Sequence, residues 1–322
     1  MKNMKKYEFY QLDVFTDKAF AGNPLAVFPE TAGLSAEEMQ KIAREMNLSE
    51  TVFVSPSEKA LRRLRIFTPM RELPLAGHPV VGTWNLLATL GVVPHQAQGT
   101  VTIEQELNLG ILPVDIEYRD EKPFQVTMTQ GTFEAGAIIS NEREISRLAQ
   151  GLGLDLADLN FSAGLPVQVV STGIKALDIP IVSLEALSRC RINSSLLSEI
   201  YLSYGAIGCY AFTLLNSEPP AADGGLNAAG STDFPSLVHA RFFAPDDNIP
   251  EDPATGSAAG SLAGYLVYHA AIDAKKFTIE QGDFMKRPSR IHAEVTGEKG
   301  NIEKVGIGGQ SVIVAKGEVF FD

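Results

Sequence analysis

Residues 65–91 read RIFTPMRELPLAGHPVVGTWNLLATLG, and residues 241–269 read RFFAPDDNIPEDPATGSAAGSLAGYLVYH. Each stretch runs Arg–apolar–Phe–small–Pro, then an acidic loop containing proline, then Gly followed by His78 or Ser257. Another glycine comes four or five residues on, and an uncharged segment follows. The two copies are separated by about half the chain. Such a period suggests two similar domains rather than a solenoid of short repeats. The uncharged runs Leu73–Ile103 and Pro253–Ile272 approach membrane-spanning length. They are diluted by Gly, Pro, Ser, Thr and His, so they are expected as helices buried in the centre of soluble domains.

Around these helices the sequence alternates as strands do. YEFYQLDVF, TVFVS, LRRLRIF, TVTIEQELNLGILPVDIEY and FQVTMTQ lie in the first half. PVQVVSTG, CYAFTLL, HARFFA, KFTIEQ, SRIHAEV and SVIVAKGEVFF lie in the second. Gly-containing turns between many of them mark antiparallel pairing. A helix is expected over Ala36–Met46, because Ser35 and Glu38 form a capping box. Two more are expected at Asn141–Gln150 and Leu184–Leu202. Strands dominate, so the fold class is α+β rather than a doubly wound βαβ array. The expected domains are residues 1–130, with a tail of about 308–322 returning to them, and residues 131–307. The stretch Asn216–Ser236, poor in bulky apolar residues, is expected as a long exposed loop.

Composition narrows the function. There are 39 acidic against 27 basic residues, a net charge of −12, and no long basic run after the N-terminus. Nucleic acid and anionic membranes are therefore not expected partners. No signal-peptide core follows the first residues, and the two cysteines, Cys190 and Cys209, lack metal or redox spacing. A cytoplasmic protein is expected. Nucleotide-binding loops, HExxH and Cys/His clusters are missing from the sequence, so no cofactor and no metal is expected.

Two proline-marked helix starts remain, at His78–Pro79 and Asp252–Pro253, each read as a cap residue followed by proline. Helix N-termini bind carboxylates through free amides, without Lys or Arg. Two of them facing across a cleft would let an acidic protein hold an acidic small molecule. Glu50, in NLSETVFV, lies where a helix gives way to a strand, an unfavourable place for an acid unless it is solvated or used.

Taken together, DVFTDKAFAGNPLAVF, NLSETVFV, RIFTP with ELPLAGHPVVGT, VSTG, ARFFAP with NIPEDPATGSA, and QGDFMKRPS resemble the PhzF-like isomerase family of phenazine biosynthesis. The matches run in order from Leu12 to Ser289. The resemblance implies a diaminopimelate-epimerase-like fold, two pseudo-symmetric domains each with a curled, mainly antiparallel sheet around a central helix, and an active site between them. It implies a cofactor-independent proton shift on a small unsaturated carboxylate such as trans-2,3-dihydro-3-hydroxyanthranilate, in a homodimer. Glu50 would be the general acid/base, with His78 and Asp252 assisting. Gly77, Gly256 and Ser257 would hold the substrate carboxylate, and Asn23 and Ser49 would line the site, although from its residues Asn23 reads more strongly as a turn residue. Related epimerases carry a cysteine at each helix start, whereas LAGHP and DPATGSA carry none. An epimerase using Glu50 and a second base, or an inactive carboxylate-binding homologue, are the alternatives.

Overall fold

The computed structural model describes residues 4–159, 164–215, 234–247 and 249–321. The expected loop at Asn216–Ser236 lies almost wholly outside them. The chain divides into two compact units, one of residues Met1–Thr129 with Gly308–Asp322, the other of Gln130–Ile307.

The first unit runs β1 (Lys5–Val14), β2 (Asn23–Phe28), α1 (Ala36–Met46), β3 (Glu50–Ser55), β4 (Arg62–Phe67), β5 (Glu72–Leu73), α2 (Gly77–Thr89), β6 (Gly99–Leu107), β7 (Gly110–Arg119) and β8 (Lys122–Thr129). The second runs β9 (Glu134–Ile139), α3 (Glu142–Leu152), β10 (Val167–Ser171), β11 (Lys175–Pro180), α4 (Leu184–Arg189), α5 (Ser194–Ser203), β12 (Cys209–Leu214), β13 (Ser236–Ala244), β14 (Ile249–Asp252), α6 (Gly256–Tyr268), β15 (Lys276–Gln281) and β16 (Ser289–Glu298). Then β17 (Asn301–Gly309) leads to β18 (Ser311–Phe321), which pairs with β1 in the first unit.

Pairing repeats between the units. In the first, β1–β2 is antiparallel, β2–β3 parallel, β3–β4 antiparallel, β4–β6 parallel and β6–β7 antiparallel, with β5 hung on β4. In the second, β10–β11, β11–β12, β12–β13, β13–β15 and β15–β16 follow the same alternation, with β14 hung on β13. Each unit is thus a mainly antiparallel sheet with two parallel joins, made where a helical crossover or the short strand intervenes.

The sequence repeat is this topological repeat. Arg65 binds Glu72 through two N–H···O contacts of 2.7 and 2.6 Å, tying β4 to β5. Arg241 binds Glu251 in the same way, at 2.8 Å twice, tying β13 to β14. Each guanidinium also lies over the phenylalanine two residues on, Phe67 or Phe243. The Arg–apolar–Phe pattern therefore encodes a clamp that fixes the strand leading into each central helix. Those helices are buried all round: in α2 every residue but Thr89, in α6 every residue but Ser257 and Tyr268. Glycines permit that enclosure. A Cβ on Gly82 would lie 2.6 Å from Val14 Cγ2, and one on Gly264 would lie 2.4 Å from Phe133.

Helix α1 begins at the expected capping box, Ser35 and Glu38 bonding reciprocally. The helix expected over Leu184–Leu202 is instead two. The chain breaks at Cys190–Asn193, because Arg191 N–H and Asn193 N–H donate to Leu152 and Gly151 carbonyls at the end of α3. The Asn193 side chain then caps α5. Arg241 collects the carbonyls of Leu187 and Cys190 left by the break.

Candidate functional site

The residues singled out by sequence fall into two groups, one in each unit. In the first unit, α1 ends at Asn47 in the left-handed conformation, and β3 starts three residues later with Glu50. Parallel pairing sets Glu50 opposite Leu25 of β2. Beside it, the Ser49 hydroxyl donates to Asn23 Oδ1 at 3.1 Å. Asn23 is almost wholly buried and opens β2, so it is a strand residue and the turn reading is corrected. The turn is made just before it by Gly22, whose φ of +61° and 2.2 Å Cβ-to-Val14 oxygen distance leave room only for glycine.

His78 meets Glu50 here. Its Nε2 stands 3.2 Å from Glu50 Oε2, with the imidazole 6% and the carboxyl 14% exposed. Burial pushes the imidazole pKa down to about 3, so His78 is neutral near neutral pH. The pair is then a carboxyl group in close contact with a neutral imidazole, without a hydrogen bond between Nε2 and Oε2, rather than a salt bridge.

His78 is not a helix cap, contrary to the sequence reading. Ala76 is the N-cap, and His78 is the second residue of α2, with Pro79 still in the first turn. Ala76 offers no side-chain cap, and the Gly77 and His78 amides lie in the opening turn.

In the second unit, Asp252 is likewise not the cap of α6. It ends β14, held in the ladder opposite Phe242, and the N-cap is Thr255. Thr255 turns its hydroxyl away from the helix and donates to Asp252 Oδ2 at 2.5 Å. The α6 N-terminus therefore has no side-chain cap either, and Gly256 and Ser257 occupy its first turn. Sequence reasoning missed Thr255 and Gln281. Gln281 is fully buried and bonds both the Asp252 carbonyl and Thr255.

Cys190 and Cys209 are both buried and free, and burial raises their pKa values, to about 11 for Cys190 and well above the ordinary thiol value for Cys209. Neither is a ready thiolate. Elsewhere in the second unit, His239, Glu280 and Asp283 gather ligand atoms within 4.8 Å of one another. Arg290 lies 3.6 Å from Glu280 and 3.3 Å from Asp283. Its guanidinium compensates the carboxylates where a cation would otherwise be needed. Among the described residues, no helix is long and apolar enough to cross a membrane.

With this geometry in hand, comparisons with known proteins are informative. The family model described as phenazine biosynthesis-like protein matches residues 12–317. An uncharacterised isomerase of Clostridium acetobutylicum is 35% identical over 98% of this chain and 99% of its own. The trans-2,3-dihydro-3-hydroxyanthranilate isomerase of Pseudomonas aeruginosa is 32% identical, again over 98% and 99%. The crystal structure of a Bacillus anthracis PhzF-family protein superposes with a TM-score of 0.81 at 28% identity, covering 98% of this chain and 99% of that one. A hydroxyproline epimerase of Agrobacterium vitis shares the fold alone, with a TM-score of 0.63 at 12% identity over 100% and 93%.

Proposed function

Because the chain belongs to the phenazine biosynthesis-like protein family, whose named relatives include isomerases, we propose that it is a cofactor-independent isomerase that moves a proton, and with it a double bond, within a small carboxylate. Glu50 is the general acid/base. The observation that carries this reading is Glu50 Oε2 set 3.2 Å from the buried, neutral His78. A carboxylate there can take a proton from substrate carbon and return it to another carbon on the same face. No atom or electron is gained or lost overall. The neutral imidazole, in contact with the carboxylate, can donate to the substrate and steady the charge that develops there.

The remaining residues take supporting parts. The opening amides of α2 and α6, at Gly77, Gly256 and Ser257, suit a carboxylate, because uncapped N-termini present N–H donors and a favourable dipole. Asp252 is assigned to hydrogen bonding with substrate, and Asn23 and Ser49 to lining the site. The same reading takes the protein as a cytoplasmic homodimer.

The test uses trans-2,3-dihydro-3-hydroxyanthranilate as probe, in D2O, followed by NMR. Wild type should isomerise it with deuterium appearing at the carbon that receives the proton. Glu50→Gln should slow this by on the order of 10² to 10⁴, the usual contribution of a positioned acid/base. Label incorporation by Glu50→Gln at the wild-type rate would remove Glu50 from the mechanism. Inversion at the exchanged carbon, in place of migration, would favour an epimerase with a second base. Tight binding without incorporation would favour a carboxylate-binding homologue.

A further inference from the structure

We propose that Gln281, at the end of β15, is a positioning residue that sets the Asp252 carboxylate and the opening turn of α6 through Thr255. This deepens the assignment of Asp252, Gly256 and Ser257 above and rests on it.

The primary amide of Gln281 is fully buried and all of its polar capacity is directed at one loop and one tyrosine. Its Nε2 donates to the Asp252 carbonyl at 2.8 Å and to Thr255 Oγ1 at 3.1 Å. Its Oε1 accepts from Thr255 N–H at 3.2 Å and from the Tyr210 hydroxyl at 2.8 Å. Thr255 Oγ1, thus accepting from Gln281, spends its own proton on Asp252 Oδ2 at 2.5 Å. The order of donors is therefore fixed from Tyr210 to the carboxylate.

Two consequences follow for the loop 252–257. Asp252 is gripped at both its carbonyl and its carboxylate, so its rotation is restricted. Thr255, which would ordinarily fold its hydroxyl onto the amides of the first turn as a cap, is diverted to Asp252. Its diversion leaves the opening turn of α6 without a side-chain cap. Ser289 and Gly282 support the same loop from the next turn. The Ser289 hydroxyl donates to the Pro253 carbonyl at 2.8 Å, and Gly282, at φ +80°, passes so close that a Cβ would lie 2.5 Å from that oxygen. The segment QGDFMKRPS is thus the buttress of EDPATGS.

Leucine fills the volume of glutamine but makes none of these bonds. Gln281→Leu should lower kcat on trans-2,3-dihydro-3-hydroxyanthranilate by about tenfold to a hundredfold, the usual cost of a slightly misplaced group. Thr255→Val should lower it similarly, Thr255→Ser should restore it, and the Gln281→Leu/Thr255→Val double variant should be no worse than the poorer single one. Urea unfolding identifies any variant that has simply lost its fold. Kinetic constants within twofold of wild type in folded Gln281→Leu, or additive effects in the double variant, would overturn the proposal. Should wild type not turn over the probe, the assignment of that compound as substrate fails by itself. The positioning is then decided by crystal structures of wild type and of the single variants Gln281→Leu and Thr255→Val. A rotated Asp252 carboxylate and a Thr255 hydroxyl turned onto α6 in Gln281→Leu support it. An unmoved loop in both variants refutes it.

Discussion

Asp178 offers the sharpest test of the physical reasoning, because its burial has no visible compensation. It stands in the middle of β11, with no exposed surface, and neither carboxyl oxygen has a hydrogen-bond partner among the described residues. Burial holds its pKa well above the ordinary carboxyl value. The folded protein therefore keeps a proton on Asp178 that the unfolded chain releases above about pH 4. Unfolding then releases a proton, so this group makes stability fall as pH rises, with its contribution fully present only at acid pH. One retained proton corresponds to at most about 1.4 kcal/mol per pH unit, to be read between about pH 5 and about pH 7. Its buried neighbours Cys209, Tyr210 and Tyr265 cannot offset this, since burial pushes each of them further up. Asp178→Asn keeps the shape and removes the titration. Urea unfolding of both proteins at three pH values in this range should give a wild-type-minus-variant difference that slopes downward as pH rises. A difference flat to about 0.5 kcal/mol over this range would refute the buried, protonated Asp178.

The two Arg–Glu clamps give an internal comparison. Glu251→Ala strands Arg241, only 7% exposed in its side chain, and should cost about 3 kcal/mol or more in urea unfolding. Glu72→Ala strands Arg65, which is 21% exposed, and should cost about 1 kcal/mol. Equal losses would show that solvent access does not set the strength of these pairs. Gly22→Ala forces a side chain against the Val14 carbonyl in a left-handed conformation, and should cost a few kcal/mol, again by urea unfolding. An unchanged midpoint would mean that the turn before Asn23 can relax.

Features set by local chemistry were the ones legible in sequence. Helix α1 depends on Ser35, Glu38 and an apolar face within one segment, and it spans the expected residues. The two central helices were legible because enclosure demands a segment uncharged all round. The break between α4 and α5 was not, because its partners, Leu152 and Arg241, lie far along the chain. The cap assignments of His78 and Asp252 failed for a similar reason. Proline marked a first turn in one copy, but strand pairing with Phe242 kept Asp252 in β14 in the other. Gln281 and Thr255 read as ordinary strand and loop residues, since only tertiary bonds reveal their work.

Aligning the copies at their clamps shows how one topology comes to hold unlike chemistry. Glu72-Leu-Pro-Leu-Ala-Gly-His78 then matches Glu251-Asp-Pro-Ala-Thr-Gly-Ser257. The clamp glutamate, the proline and the helix-opening glycine persist, because they build the strand-to-helix turn. Leu73 and Ala76 in the first copy stand where Asp252 and Thr255 stand in the second, so the first cannot form a carboxylate–hydroxyl pair there. The same alignment carries across the β3–β4 and β12–β13 ladders. Arg65 faces Phe53 and Arg241 faces Ala211, which puts Glu50 in register with Gly208. At Gly208 a Cβ would lie 2.5 Å from the Phe242 ring and 2.7 Å from the Phe243 oxygen. No side chain, and hence no second base, can occupy that position without moving β13. The second copy therefore has no carboxylate in the place of Glu50. That leaves Asp252, a residue without a counterpart in the first copy, as the acid that an epimerase reading would have to recruit.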